Sequence, residues 1–288
     1  MPMPNAEITL DQYAQAMRNV KLSPYTIRCR TELIARLGAF LTVDTLDATM
    51  HDLTDFQATY AHLAPATVHV YTRHLRAYYR WARRTGLITV DPAIDLDLPR
   101  IRKGRPHPTN VADLRLIFAC APARLRTAYI LAAFAGLRCG EICRLSSRDL
   151  DYEDAPTALI HGKGGKERTV PVLSPVADEI RYRRGWIITT HDGRQVRPDL
   201  LSADSTRFLH GLGMDTTLHS MRHFFATNAV RLTHDLLLIR DILGHESVAT
   251  TEIYTESDHA NSHGRLAGFT DLAGGLMRPR HLTVVSNA

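Results

Sequence analysis

A chain of 288 residues is long enough for two domains, each burying its own core. Its 44% apolar and 23% charged residues exclude the disordered and fibrous classes, and the net charge of +5 points to an anionic partner. The longest strongly apolar run, Ala128 to Leu137, is about half of what a membrane span needs. With no signal-peptide pattern at the N-terminus, a cytoplasmic protein without a membrane partner is expected.

Residues 7 to 98 read as a run of helices. Ser23 and Pro24 supply an N-cap and a first-turn proline, and Ile27, Leu33, Ile34, Leu37 and Leu41 follow at helical spacing. A weaker helix spans about Leu53 to Leu63. The clearest one starts at Pro65, buries Val68, Tyr71, Leu75, Tyr78 and Trp81, and stops at Gly86. Its other face carries Arg73, Arg76, Arg80, Arg83 and Arg84 with no acid between them, a pattern suited to phosphate contact. The stretch Pro99 to Pro108 holds Arg100, Arg102, Lys103 and Arg105 among prolines and a glycine, and reads as an exposed basic linker.

The second domain opens near Thr109. An apolar helix from about Leu125 to Ala135 is broken by Gly136, and Arg138 stands at the mouth of the next helix, Cys139 to Leu145. Past an acidic turn at Asp149 to Asp154, two strand-like runs, Thr157 to His161 and Glu167 to Leu173, flank Gly162-Lys-Gly-Gly-Lys166. That pattern is a β-hairpin with Lys163 and Lys166 at its tip. The polar stretch Thr189 to Leu200 has no clear structure. Helical segments close the domain at about His219 to Leu232, Asp235 to Leu243, and a short one capped by Ser247 that carries Tyr254. Beyond Gly268 the glycine content reads as a tail. The fold expected is mainly α with a small β-hairpin or sheet. A helical domain at 1–99, a linker at 100–108, an α+β catalytic domain at 109–270 and a tail at 271–288 make up the chain.

Only four of the 35 basic residues are lysines: Lys21, Lys103, Lys163 and Lys166. A lysine among arginines marks a position where a proton has to be released, because an ammonium can lose one near neutral pH and a guanidinium cannot. Breaking a phosphodiester needs an in-line nucleophile, neutralised phosphate oxygens and a proton for the leaving oxygen. Arg138, His219, Arg222, His245 and Tyr254, with one of the hairpin lysines Lys163 and Lys166, form a set able to do this without a metal. Three other patterns fail. His219 and His223 lack the glutamate of a zinc-protease helix, Lys166 lacks the Ser or Thr that follows a phosphate-loop lysine, and the acidic run is a solvated turn. The cysteines Cys29, Cys120, Cys139 and Cys143 follow no metal or disulfide spacing.

In order and spacing, Gly136-Leu-Arg-x-x-Glu-Ile142, His219-x-x-Arg-His-x-Phe-Ala-Thr227 and Leu243-Gly-His-x-Ser-x-x-Thr-Thr-x-x-Tyr254 resemble the tyrosine recombinases, the phage integrases and Xer-type resolution enzymes. The likeness covers the second domain and, more loosely, the first, which looks like the family's core-DNA-binding domain. It implies that Arg138 and Arg222 grip the scissile phosphate, and that Lys163, with Lys166 as its rival, protonates the leaving 5′-hydroxyl. His219 would assist proton transfer at the tyrosine, His245 would hydrogen-bond the phosphate, and Tyr254 would form a 3′-phosphotyrosyl bond. It further implies double-stranded DNA sites, a homotetramer, a Holliday junction, an accessory DNA-bending or directionality factor, and no cofactor. Arg73, Arg76, Arg80, Arg102, Lys103, Arg105 and Lys166 are the expected DNA contacts. Glu141 is expected to orient Arg138 or its helix. An integrase is the reading taken; the alternatives are an Xer-type resolution recombinase, a type IB topoisomerase and a catalytically silent DNA-binding protein.

Overall fold

The structure is a computed structural model describing residues 4–101, 108–162, 165–244 and 264–277, with side chains from residue 9 onward. The chain divides into two compact units, Met1–Gly104 and Arg105–Ala288, each with its own hydrophobic core. The fold is mainly helical with one small antiparallel sheet, as the sequence patterning indicates. Among the described residues no helix is long and apolar enough to cross a membrane.

The first unit contains α1 (Pro4–Asn19), α2 (Pro24–Phe40), α3 (Met50–Ala58) and α4 (Pro65–Arg84). The Ser23 side chain accepts the Thr26 N–H, and Pro24 fills the first turn of α2, where a missing N–H does no harm. Helix α3 starts earlier than its apolar spacing indicates. Thr49 and Asp52 form a capping box, each side chain accepting the other's backbone N–H. It also ends earlier, at Ala58, although Tyr60 beyond it is buried. Rings from α1 and α4 make the centre of the core: Tyr13 lies 5.2 Å from Tyr78 and 5.0 Å from Trp81, centroid to centroid. The Tyr78 hydroxyl meets the Thr45 hydroxyl at 3.0 Å, and the Tyr79 hydroxyl donates to the Thr45 carbonyl at 2.8 Å. These two bonds tie the segment between α2 and α3 to α4.

At the centre of the second unit lies α6 (Ala123–Phe134), with every residue from Thr127 to Phe134 buried. Helices α5 (Val111–Cys120), α8 (Ser174–Ile180) and α10 (Leu218–Thr233) pack on it. A short α7 (Cys139–Ile142) follows it, ending before the Leu145 expected from sequence. Strands β1 (Leu150–Asp151), β2 (Thr157–His161) and β3 (Glu167–Pro171) pair antiparallel in that order, with His161 opposite Glu167 and Thr157 opposite Pro171. β1 adds a strand to the expected hairpin. The acidic turn is partly structural: the Asp149 carboxylate accepts the Ser146 N–H at 2.8 Å.

Helix α9 (Pro198–Gly211) begins in the stretch that composition left open, and buries only the narrow stripe Leu201, Ser205 and Leu209. Helix α11 (Leu236–Leu243) packs beside β3. The tail expected over 271–288 needs correction. Residues Ala267–Met277 form α12, and Phe269, Ala273 and Leu276 are buried in the core. The Phe269 ring lies 5.7 Å from Phe134 and 5.4 Å from Phe225. Apolar side chains at helical spacing overrode the glycines that suggested a loose end. The second unit's core therefore runs beyond 270, to at least Leu276.

Between α10 and α11, His234 adopts φ 53°, the left-handed region. An L side chain is disfavoured there by roughly 1–2 kcal/mol, while glycine is not. His234→Gly should raise unfolding stability by about 0.5–1 kcal/mol, read as an increased urea midpoint at an unchanged slope. A lowered midpoint would mean that the imidazole itself holds the turn.

Candidate active site

Three sequence-distant segments converge on the C-terminal end of α11. The first is the break after α6. Gly136 has φ 65°, and a Cβ there would stand 2.6 Å from Phe225 and 2.9 Å from Leu243. Only glycine lets the backbone turn in that space. The turn delivers Arg138 to the start of α7, one helical turn before Glu141. The Glu141 carboxylate accepts the Arg138 backbone N–H at 2.9 Å and its Nη1 at 2.9 Å.

β3 supplies the second segment. Arg168 faces the same side of the strand as buried Val170, so its guanidinium enters the interior and requires a counter-charge. Glu141 is that partner. Arg168 donates to both carboxylate oxygens, at 3.0 and 2.9 Å, in the fork geometry that makes arginine–carboxylate pairs strong. The third segment is α10. Its Thr217 N-cap accepts the Ser220 N–H, and one turn in, Arg222 is 3% exposed. Its Nη1 donates to the Gly136 carbonyl and lies 3.6 Å from Glu141.

The three guanidinium groups also grip consecutive carbonyls where α11 ends. Arg168 Nε donates to Ile242 at 2.7 Å, Arg222 Nη2 to Leu243 at 2.7 Å, and Arg138 Nη2 to Gly244 at 3.0 Å. Carbonyls at a helix C-terminus have no partner within the helix and carry partial negative charge, so cations are favourable there. Gly244 closes the helix in the left-handed region, with room for a Cβ only 3.1 Å from the Arg168 stem.

The electrostatics follow. Burial alone would raise the Glu141 carboxyl, but the hydrogen bonds and charges of Arg168 and Arg138 outweigh it and hold the group at about 2. Arg222 is pushed down to about 10 by burial, then by Arg138 and Arg168, with Glu141 opposing. It stays charged at neutral pH. Three cations around one carboxylate leave an excess of two positive charges, suited to an anion. His219, exposed one turn before Arg222, packs edge-on against His223 at 4.5 Å. Burial first, then His223, Arg222 and Arg138, lower its pKa, so its neutral, proton-accepting form prevails near pH 7.

Of the expected catalytic residues, the structure thus brings Arg138 and Arg222 together on Glu141, with His219 close enough to feel both charges. Lys163, His245 and Tyr254 lie outside the described residues, as do Arg102, Lys103 and Arg105. Lys166 is exposed, and its carbonyl accepts the Gly162 N–H at 2.7 Å. Arg73 and Arg80 are exposed on α4, whereas Arg76 is half-buried and donates to the Leu96 carbonyl at 2.6 Å. Arg76 therefore has a structural task that a purely solvent-facing stripe did not anticipate. Glu141 orients Arg138 as expected, but its tie to Arg168 was missed. The signal was present: an arginine two residues before a buried valine on a strand is an inward charge.

Residues 110–261 match the phage integrase family. Tyrosine recombinase XerC of Rhodospirillum centenum is 34% identical over 206 residues, covering 64% of this chain and 60% of that protein. Tyrosine recombinase XerA of Thermococcus kodakarensis is 31% identical over 253 residues, covering 81% of this chain and 85% of that protein. Among solved structures, a lambda integrase fragment (75–356), a dimer bound to a COC′ core site, aligns with a TM-score of 0.70 at 18% identity. That alignment covers 86% of this chain and 99% of the fragment. Lambda integrase as a tetramer bound to a Holliday junction aligns with a TM-score of 0.68 at 18% identity. At such identity the likeness speaks to the fold alone.

Glu141→Ala should destabilise the second unit by about 3–5 kcal/mol, because Arg168 and Arg222 would remain buried without a counter-charge. The carboxyl is depressed on folding, so its contribution is complete above its ordinary value of 4.5 and lost as the pH falls toward 2. Urea unfolding of wild type and variant at pH 7 and pH 3 checks both statements. A variant gap that does not narrow at low pH would remove the ion cluster as the cause.

Proposed function

The chain belongs to the phage integrase family, the tyrosine recombinases, enzymes that cut and rejoin DNA at specific sites, and we propose that Tyr254 is its nucleophile and the arginine cluster on Glu141 its phosphate cradle. One observation carries this reading. Arg138 and Arg222 are held by a single carboxylate, with positive charge left over, beside a histidine whose neutral form is favoured. An in-line displacement at phosphorus develops additional negative charge on the phosphate oxygens, and fixed guanidinium groups stabilise it without reorganising.

In the proposed reaction the Tyr254 phenol loses its proton with help from His219, and its oxygen attacks the scissile phosphorus. The bond to the 5′-oxygen breaks, and Lys163 supplies that oxygen with a proton. Arg138, Arg222 and His245 neutralise the phosphate. The strand is left as a 3′-phosphotyrosyl ester, which conserves the bond energy. A 5′-hydroxyl from the partner duplex then reverses the chemistry and releases the tyrosine, with no nucleotide consumed. The working assembly proposed is a homotetramer on two duplexes, passing through a Holliday junction, as in the lambda integrase structure of that description. We place it in the cytoplasm, with any accessory DNA-bending or directionality factor acting through the DNA.

Integration of a mobile element is the use proposed. The Xer names of the curated relatives favour keeping a second reading, resolution of joined chromosomes or plasmids. Loss of the gene discriminates, since unresolved daughter chromosomes point to the second. A type IB topoisomerase would form the tyrosyl adduct but no junction between two labelled duplexes.

Tyr254→Phe should bind duplex DNA normally and give no covalent adduct on a nicked suicide substrate; an adduct would move the nucleophile elsewhere. Arg138→Ala should slow adduct formation by at least about a hundredfold, the usual effect of deleting one charge-stabilising donor. Adduct formation by the wild-type chain should be unchanged by EDTA, because guanidinium and ammonium groups replace metal ions in this scheme.

A further inference from the structure

Lys163, the proposed proton donor, stands in the sequence between β2 and β3, so the placement of those strands governs where it can act. The strands pair up to the last residue of β2, with Ile160 opposite Arg168 and His161 opposite Glu167. One step further, the Gly162 N–H donates to the Lys166 carbonyl at 2.7 Å. A Cβ at Gly162 would stand 3.1 Å from that oxygen, so glycine permits the close approach. Strand β3 is fixed to the arginine cluster, because Arg168 spends its guanidinium on Glu141 and on the Ile242 carbonyl. Strand β2 is held by a different residue, His161.

His161 is gripped at its backbone and at both ring nitrogens. Arg144, two residues past the end of α7, donates Nη2 to the His161 carbonyl at 3.2 Å. Ring Nδ1 meets a Glu167 carboxylate oxygen at 2.9 Å, and Nε2 meets Asp149 at 3.3 Å. A carboxylate can only accept, so the ring is the donor in both pairs, a pattern the imidazolium satisfies in full. Asp149 is in turn seated by its other oxygen, which accepts the Ser146 N–H. The short α7 that follows Arg138 therefore braces both strands of the hairpin: β3 through Glu141 and Arg168, β2 through Arg144 and His161.

Stability does not explain the arrangement. The His161 side chain is 43% exposed and that of Glu167 56%, and ion pairs so open to water contribute little to folding. What these bonds fix is the position and direction of the chain as it leaves β2. We propose that His161, braced by Arg144, Asp149 and Glu167, is a positioning residue for proton delivery to the leaving 5′-oxygen. It sets where the hairpin lysine stands relative to the arginine-held phosphate, and it acts through that lysine and not on the phosphate. The proposal rests on the recombinase reading and on a hairpin lysine as the acid.

The test uses the full chain and two nicked suicide duplexes that differ in one atom at the scissile linkage. One carries the ordinary phosphodiester, the other sulfur in place of the bridging 5′-oxygen. In both, the tyrosine oxygen bonds to phosphorus as the bond to the 5′ atom breaks. The departing oxygen needs a proton, whereas a thiolate leaves without one, since a thiol ionises near about 8.5. His161→Phe keeps a flat ring and removes the donors. It should slow adduct formation on the oxygen substrate by about ten- to a hundredfold, the effect of a catalytic group displaced by about 1 Å. On the sulfur substrate it should match the wild-type chain. His161→Gln keeps a donor and should recover part of the loss. Equal losses on both substrates would overturn the proposal by making His161 part of the fold or of the phosphate cradle. No loss on either would also overturn it, leaving a surface residue. Lys163→Ala and Lys166→Ala are measured alongside. If one of them is slow on oxygen and restored by sulfur while His161→Phe is not, the lysine reading stands and the positioning role alone falls. If neither lysine variant is restored, the proton comes from elsewhere, and both fall together.

Discussion

Glu141 is 3% exposed and faces three guanidinium groups, and the geometry of the catalytic unit depends on how that imbalance is resolved. A buried carboxylate is unfavourable alone, and so is each buried arginine. Together they are held because each arginine also donates to a backbone oxygen. Arg138, Arg168 and Arg222 use theirs on successive carbonyls from Ile242 to Gly244. The cluster thus joins the turn after α6, strand β3, helix α10 and the end of α11 through one shared acid. Moving any one of them would leave a charge or a carbonyl unpaired.

The same arrangement separates holding from reacting. Arg168, deepest in the cluster after Arg222, spends both arms of its fork on Glu141 and its Nε on Ile242. With its donors used in this way, it holds Glu141 and the end of α11 in place. Arg138 is far more open, with its side chain 42% exposed, the most accessible of the three. Stability is concentrated in the inner pair and accessibility in the outer arginine. In the helical unit arginine has a different setting: Arg76 of α4 is half-buried and donates to the Leu96 carbonyl above a tyrosine-rich core.

Much of this was legible from residue order. Helical periodicity located α2, α4, α6 and α10, because each buries a wide apolar stripe, and glycine marked the breaks at Gly86 and Gly136. The motif residues Arg138, His219 and Arg222 were readable because the motifs that carry them stand in the family's order and spacing. Several features were not. Helix α3 is set by the cap at Thr49 more than by its apolar residues. Helices α8 and α9 bury narrow stripes that composition hides, and α12 is held by Phe269 against rings remote in sequence. Arg168 was overlooked because its partner lies 27 residues earlier, a pairing that tertiary structure alone creates. The bond Arg76 makes went unseen for a related reason: the carbonyl it binds belongs to a chain segment 20 residues downstream.

Helix α12 also changes what a covalent intermediate would mean mechanically. The described chain on either side of residues 245–263, which include Tyr254, is held in the same domain, at the arginine-gripped end of α11 and at the aromatic seat of Phe269. A DNA end esterified to that tyrosine would be tethered through both flanks. Of the two flanking anchors, salt weakens the ionic one and leaves the apolar one in place.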